Sequence, residues 1–142
     1  MEAIHVADLI RMSEATALGL HTMAIIAESE SPISTAQVAA TLRASETHLS
    51  KVLQQLTRVG LLNSKRGPTG GYLLARPPDS INLLDVYEAL EGPLRRDGCL
   101  FAEPICDQVH CMLGSLIEQL RNETHAYLST TSLHDVVQRA RR

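Results

Sequence analysis

Aromatic residues are scarce in this sequence, which has no tryptophan, one phenylalanine and three tyrosines among its 142 residues. Hydrophobic residues nevertheless make up 44% of the chain. The core must therefore consist mainly of Leu, Ile, Val and Ala, which suits packed helices. A chain of this length buries enough apolar surface to fold without disulfides or metal ions. The composition predicts one ordinary, mainly helical domain.

Long apolar runs are also missing. No stretch approaches the length of about 18 apolar residues that a membrane-spanning helix needs, and the first residues lack the basic and apolar regions of a signal peptide. We therefore expect a cytoplasmic protein with no membrane partner. In that compartment the three cysteines should be reduced, which argues against a disulfide framework.

Common catalytic motifs are absent too. The sequence has no nucleophile elbow, no GxxxxGKS/T phosphate loop and no HExxH pair. A cysteine nucleophile with a histidine partner stays open, but nothing in the sequence orients such a pair. We predict that the chain is not an enzyme and has no small-molecule substrate.

Positive charge is concentrated in one short block. Residues 43–76 carry six Lys or Arg and a single acid, Glu46, a net charge of +5, although the whole chain has a net charge of −3. The net charge is −4 in residues 1–42 and again −4 in residues 77–142. Such a block is the local electrostatic footprint of nucleic-acid binding, or else a solvated basic face.

Two helices separated by a three-residue turn lead into this block, which begins with the turn residue Arg43. One helix follows Ser34, and a second runs from Glu46 to about Val59, with Ser45 as its N-cap and Gly60 as its stop. An earlier helix is predicted over residues 13–27, beginning at the cap Ser13. Two short extended runs around a Gly/Pro turn then predict a β-hairpin.

Further helices follow the hairpin. Asn82 is predicted to cap a helix over residues 83–90, with Asp85 completing a capping box. A long helix is predicted from about Met112 to Thr130, and Ser132 is placed to cap a last short one. The fold class is therefore mainly α with a small β-hairpin wing: a winged helix-turn-helix followed by a long C-terminal helix for dimerisation.

The second helix of the turn is the candidate for reading DNA, because a helix fits the major groove and its exposed N-terminal residues reach base edges. Its outward positions are Thr47, His48, Ser50, Lys51, Gln54 and Gln55. Lys65 and Arg66 at the wing tip are placed to enter a neighbouring minor groove. The turn itself consists of Gly67, Pro68, Thr69 and Gly70.

A family resemblance becomes specific at the hairpin. The segment RGPTGGYLL, residues 66–74, resembles the wing signature RGPxGGYxL of the Rrf-two family of bacterial regulators, which includes IscR-like and NsrR-like sensors. The preceding ISTAQVAATLRASETHLSKVLQQLTRVGLL, the following INLLDVYEALEG and the ending YLSTTSLHDVV are also similar to that family. The resemblance covers roughly residues 10–138.

This resemblance implies a homodimer that binds a pseudo-palindromic operator, expected to act as a repressor. Carried over by position, it implies base or groove contacts from Ser45, Thr47, His48, Ser50 and Arg66. It divides the chain into an N-terminal extension (1–12), a DNA-binding domain (13–92), a cysteine-containing sensor loop (93–111) and a dimerisation helix with tail (112–142). Asp8 is given no ligand role, because the acid of some nitric-oxide sensors aligns with Ala17 instead.

Three cysteines, Cys99, Cys106 and Cys111, lie where the family's sensors carry their cluster ligands. The resemblance implies a possible [2Fe–2S] or [4Fe–4S] cluster that senses redox state, nitric oxide or iron–sulfur status. A fourth ligand would come from His21 or His110, or from an acid such as Glu103 or Asp107. The spacing departs from that of the best-known cluster binders, and Gly114 stands where IscR-like proteins carry a histidine. Zinc binding, thiol switching and simple burial stay open.

The long C-terminal helix carries an apolar stripe close to a heptad repeat. Because a lone helix cannot satisfy this stripe in water, it must pack on its own chain or on a second copy. The residues predicted to form a dimer interface are Leu113, Leu116, Ile117, Leu120, Tyr127 and Leu128. The alternative for the whole chain is a winged-helix protein-interaction module, against which the basic block argues.

Overall fold

The computed structural model describes residues 10–95, 99, 101, 103, 105–107 and 110–142. The elements in chain order are α1 (Glu14–Glu28), α2 (Thr35–Leu42), α3 (Glu46–Arg58), β1 (Leu62–Lys65), β2 (Gly71–Leu74), a 3-10 turn (Pro78–Ser80), α4 (Leu83–Glu91), α5 (Gly114–Thr130) and α6 (Leu133–Ala140). This order confirms the predicted mainly α fold with one hairpin. Residues 1–9, most of the predicted N-terminal extension, lie outside the described residues.

Side-chain caps start most of these helices, as the sequence predicts. The N–H of the third residue is accepted by Ser13 in α1, by Ser45 in α3, by Asn82 in α4 and by Ser132 in α6. The predicted capping boxes at Asn82 and Ser132 are both present. By contrast, α5 begins at Gly114, about two residues later than predicted, and has no side-chain cap.

The core lies where α1, α3 and α4 pack against one another. In α1 and α3 the buried residues recur on one face, at the three- and four-residue spacing of an amphipathic helix. In α3 this face consists of Leu49, Val52, Leu53 and Leu56. The polar opposite face of α3 is left for solvent or a partner.

The hairpin is hydrogen-bonded to the loop that precedes α2. β1 and β2 are antiparallel, with Leu62 opposite Leu74 and Ser64 opposite Tyr72. Tyr72 also exchanges two backbone hydrogen bonds with Ile33, of 2.8 and 3.1 Å, in the loop before α2. A Cβ on Gly71 would lie 2.5 Å from the Ile33 carbonyl carbon and oxygen, so only glycine allows this close approach.

Glu91, the last residue of α4, ties α4 to the start of α1. Its carboxylate accepts hydrogen bonds from the Ser13 N–H (3.1 Å), the Ser13 hydroxyl (2.8 Å) and the Thr16 hydroxyl, and it lies 3.8 Å from the Arg11 guanidinium. Burial raises the pKa of Glu91, but these hydrogen bonds and the Arg11 charge outweigh it, and the net pKa is lowered.

Tyr87 makes a second link between the same two segments. Its hydroxyl donates a 2.5 Å hydrogen bond to the Arg11 carbonyl. Burial, and then the charge of Glu91, raises the pKa of Tyr87, so its phenol stays a donor. The C-terminal end of α4 and the start of α1 are therefore held together by both side-chain and backbone groups.

The long helix α5 packs against α4 of its own chain. Ile117 and Leu128 are 1% and 6% exposed, so these two members of the predicted dimer interface are already buried within a single chain. Arg121, on the same side of α5, is only 3% exposed. None of the helices in the described ranges is both long and apolar enough to cross a membrane.

Candidate nucleic-acid interface

The helix-turn-helix is formed by α2, residues 43–45 and α3. Arg43 ends α2 in the left-handed conformation (φ 53°), and its N–H donates to the Ala39 carbonyl. The Ser45 hydroxyl accepts from the His48 N–H at 3.3 Å and starts α3. These local bonds fix the angle at which α3 leaves the turn, which decides how its exposed face meets a partner.

An open groove of about 630 Å³ runs along the exposed face of α3. It brings together four of the sequence-predicted contact residues, Thr47, Ser50, Lys51 and Gln54. It is also lined by Thr35 and Glu46, which the sequence analysis did not include. Both could have been found from the N-terminal position that each occupies in its helix.

Other predicted positions on α3 are already partly engaged. The Ser50 hydroxyl accepts a 3.3 Å hydrogen bond from Gln54 Nε2. Gln55, predicted to face outwards, donates instead to the Ala89 carbonyl of α4 at 3.2 Å. That prediction was wrong because Gln55 lies at the edge of the helix face that packs on α4. His48 is half-buried and does not line the groove.

The wing tip is exposed from Lys65 to Thr69. Gly67 has φ +112°, and its carbonyl accepts from the Gly70 N–H at 3.0 Å, which closes a tight turn. A Cβ on Gly70 would lie 2.1 Å from the Lys65 carbonyl oxygen. The glycines therefore shape the tip that presents Lys65 and Arg66.

The cations of this face lack acidic partners. Among the described residues, no carboxylate pairs with any of the five cations on α3, the preceding turn and the wing tip, which are Arg43, Lys51, Arg58, Lys65 and Arg66. Arg11 and Arg76, which lie outside it, are paired with Glu91 and Asp85. The helix-turn-helix and wing therefore present five cations that no carboxylate among the described residues neutralises.

The three cysteines occupy different environments. Cys99 is buried, Cys106 is exposed and Cys111 is half-exposed, and all three are free thiols. The Cys99 carbonyl accepts a 2.9 Å hydrogen bond from the Arg121 guanidinium. Within the described residues, no three His, Cys, Asp or Glu side chains converge on a point where a metal ion could be held. As placed here, the cysteines do not fit a cluster.

The two histidines predicted as a fourth cluster ligand, His21 and His110, do not belong to a group of potential metal ligands among the described residues either. His110 Nδ1 is 3.1 Å from Asp107 in the same loop. His21 is exposed on α1, with Nδ1 2.7 Å from the Ala17 carbonyl. A backbone carbonyl on one ring nitrogen is the usual way in which a ligating histidine is oriented.

The residues predicted for the dimer interface that are not buried within the chain lie on the outer side of α5. Leu116 and Tyr127 are 50% and 53% exposed, and Leu113 is also exposed, whereas Leu120 is half-buried. Met112, next to this stripe, is 92% exposed. Tyr127 accepts a 3.0 Å hydrogen bond from Arg139 of α6, whose guanidinium lies over its ring.

A model of the family Rrf2, described as an iron-dependent transcriptional regulator, matches residues 12–139. The chain belongs to the Rrf2 family. The resemblance in the wing and helix-turn-helix segments is thereby confirmed, and the fold is the winged helix of this family.

Several Rrf2-type relatives are similar over much of the chain. BadM of Rhodopseudomonas palustris, named as an HTH-type transcriptional regulator, is 31% identical over 140 residues, which cover 94% of this chain and 86% of BadM. An HTH-type regulator of Aquifex aeolicus is 27% identical over 92 residues. That match covers 63% of this chain and 64% of the relative, so the chain spans just under two thirds of such relatives.

Solved structures show the same architecture. CymR, the global cysteine regulator of Bacillus subtilis, has a TM-score of 0.75 and 30% identity, covering 90% of this chain and 96% of CymR. IscR of T. potens has a TM-score of 0.72 and 28% identity, covering 92% and 88%. These relatives are regulators rather than enzymes, in agreement with the prediction that this chain is not an enzyme.

Proposed function

We propose that this chain is a bacterial, cytoplasmic transcription regulator, acting as a repressor, that binds operator DNA as a homodimer. The observation that carries this proposal is the basic face: within the described part of the chain, the five cations on α3, the preceding turn and the wing tip have no carboxylate partner. Phosphates of DNA would neutralise these charges and release counterions. A protein-interaction module would have no need of such a face.

The residues of the face are assigned by their position. Thr47, Ser50, Lys51 and Gln54 share the groove along α3 and would enter the major groove, where hydroxyls and amides read base edges. Ser45 and His48, at the N-terminal end of the same helix, would lie against the adjacent backbone. The wing tip, with Lys65 and Arg66 held by the turn Gly67, Pro68, Thr69 and Gly70, would enter the minor groove.

The homodimer is proposed from the exposed stripe of α5. Leu113, Leu116 and Tyr127 present apolar surface that this chain does not cover, and a partly buried Leu120 extends it. A helix-turn-helix dimer places two recognition helices one DNA turn apart, which matches a pseudo-palindromic operator. Residues 13–92 would then read DNA, residues 112–142 would dimerise, and residues 93–111 would connect the two functions.

We further propose that the cysteine loop is the sensing element. Two chemistries are candidates for three free thiols: an iron–sulfur cluster, whose ligands do not converge among the described residues, and oxidation of the exposed Cys106. A solved relative, CymR of Staphylococcus aureus, is described in an oxidised form, at 26% identity and a TM-score of 0.69. That relative supports the second chemistry.

One measurement separates these chemistries. Protein purified without oxygen is examined by absorption spectroscopy and analysed for iron and sulfide. Broad visible bands with near-stoichiometric iron and sulfide would establish a cluster. A protein that stays colourless after attempted reconstitution would eliminate the cluster and leave thiol chemistry, zinc or a structural role for the three cysteines.

DNA binding itself is tested with duplexes selected from a random pool by the parent protein. We expect Thr47→Val to lose about 1–3 kcal/mol of preference for the selected site, with an unchanged salt dependence. We expect Lys51→Gln to weaken binding to all sequences and to lower the salt dependence. A parent protein that selects no sequence and binds no duplex would contradict the proposal and favour a protein-interaction module.

A further inference from the structure

A second groove, of about 310 Å³, separates the C-terminal half of α3 from the hairpin. It is lined by Gln54, Thr57, Arg58, Ser64 and Tyr72. Gln54 also lines the groove along α3, so the two grooves adjoin on the same face of the molecule. Apart from Gln54, its residues belong to none of the predicted contacts.

The strand register explains why polar groups line this groove. Successive side chains of a strand alternate between faces, so Leu62 and Ser64 share one face of β1, together with their partners Leu74 and Tyr72 on β2. Leu62 is buried against the core, which places this face towards α3. On this face of the hairpin, the apolar pair Leu62 and Leu74 lies next to the core, and the hydroxyl-bearing pair Ser64 and Tyr72 lies nearer the wing tip.

The lining supplies donors and a positive charge, but no acid. Among the described residues, neither the Ser64 hydroxyl nor the Tyr72 hydroxyl has a hydrogen-bond partner. The Arg58 guanidinium donates a single 3.2 Å hydrogen bond, to the neutral Gln55 side chain. A neighbouring groove of about 250 Å³ differs in this respect, because it is lined by both Asp85 and Glu88.

We propose that this groove is a phosphate site that seats a phosphodiester of the DNA backbone between the recognition helix and the wing. Arg58 would neutralise the phosphate, and Ser64 and Tyr72 would donate hydrogen bonds to its oxygens. Such contacts fix the register of the protein on the duplex without reading sequence. The inference rests on the proposed function, because it supposes that α3 and the wing bind the same duplex.

The test measures binding to a labelled 30-base-pair duplex of random sequence by fluorescence anisotropy, from about 50 to 300 mM KCl. We compare the parent with Arg58→Gln, Tyr72→Phe and the matched control Arg141→Gln. Arg141 is exposed at the end of α6, which packs on α1 rather than on α3. Thermal unfolding by circular dichroism verifies that each variant is folded.

The site predicts a different result for each variant. Arg58→Gln should reduce the slope of log K against log salt by about 0.9 for each chain bound. Tyr72→Phe removes a neutral donor and should weaken binding roughly three- to tenfold at every salt concentration, with the slope unchanged. Arg141→Gln should match the parent. If Arg58 and Tyr72 only stabilised the fold, their variants would not differ in this way, with one changing the salt dependence and the other changing only the affinity.

Contrary outcomes are equally definite. An Arg58→Gln protein that equals Arg141→Gln at every salt concentration would overturn this inference alone. A parent that binds no duplex at low salt would overturn the proposed function as well. Finally, inorganic phosphate is compared with chloride at matched ionic strength. If phosphate weakens DNA binding by the parent but not by Arg58→Gln, free phosphate and the DNA backbone compete for this groove, as the inference expects. If phosphate weakens binding by both proteins equally, it acts at other cations, and the assignment of a phosphate site to this groove is overturned.

Discussion

Arg121 of α5 holds the backbone of Cys99: its guanidinium donates a 2.9 Å hydrogen bond to the Cys99 carbonyl, and both residues are buried. Removing one partner of a buried hydrogen bond leaves the other unsatisfied. We expect Arg121→Met to lower the free energy of unfolding by about 1.5–3 kcal/mol in urea titrations. The exposed control Arg141→Met should change it by less than about 0.5 kcal/mol.

We expect the same bond to limit access to the Cys99 thiol. In a Cys106→Ser, Cys111→Ser background, Arg121→Met should accelerate labelling of Cys99 by a thiol reagent, because the loop loses its attachment to α5. Equal labelling rates with and without Arg121, combined with equal stability, would show that this contact does not hold the loop.

Acid should weaken the link between α4 and α1. The pKa of Glu91 is lowered from 4.5 in the folded chain, so its carboxylate stabilises the fold above that value, and this contribution is lost as the pH falls through the folded pKa. Urea titrations between about pH 7 and pH 3.5 should show Glu91→Gln losing less stability with acid than the parent. Glu88→Gln, an exposed change on the same helix, should follow the parent curve.

The hairpin should depend on the absence of a side chain at residue 71. Gly71 has φ +148°, and an added Cβ would meet the backbone of Ile33. We expect Gly71→Ala to destabilise the protein by more than about 2 kcal/mol, since the strain adds to the clash. Gly67→Ala has a similarly unfavourable φ of +112° but open space around it, so its loss of stability should be smaller. Similar losses for both would refute the role of the Ile33 contact.

Charge on the exposed stripe of α5 should prevent dimerisation. Leu116→Lys places an ammonium group in the proposed interface, and sedimentation velocity should then show a monomer. Its affinity for a selected operator should fall at least about tenfold, because two linked half-sites become independent. Gln119→Lys, an equal change of charge at another exposed position of α5, should stay dimeric. A dimer that survives Leu116→Lys would place the interface elsewhere.

Local signals in the sequence were sufficient for most of the fold. Ser13, Ser45, Asn82 and Ser132 mark helix starts because a short hydroxyl or amide side chain accepts from the free N–H groups of the first turn. The hairpin follows from its Gly/Pro turn. These features depend on neighbours three or four residues apart, which a sequence displays directly.

Long-range contacts could not be read in the same way. The heptad-like stripe of α5 does not say which of its residues face α4 and which face outwards, so Ile117 and Leu128 were grouped with Leu116. Arg121 was not predicted to be buried, because its partner Cys99 lies 22 residues away. The groove at Arg58 likewise appears only when β1 and β2 are folded against α3.

The two backbone bonds between Ile33 and Tyr72 have a consequence for how a signal is transmitted. They join the wing to the segment that leads into α2, so the hairpin is connected to the helix-turn-helix by backbone hydrogen bonds as well as by the chain itself. In the proposed complex with DNA, each chain would therefore present α3 and the wing as one connected unit. If a change in the cysteine loop controls binding in the proposed dimer, we expect it to alter the spacing and tilt between the two recognition helices and not the position of the wing within each chain.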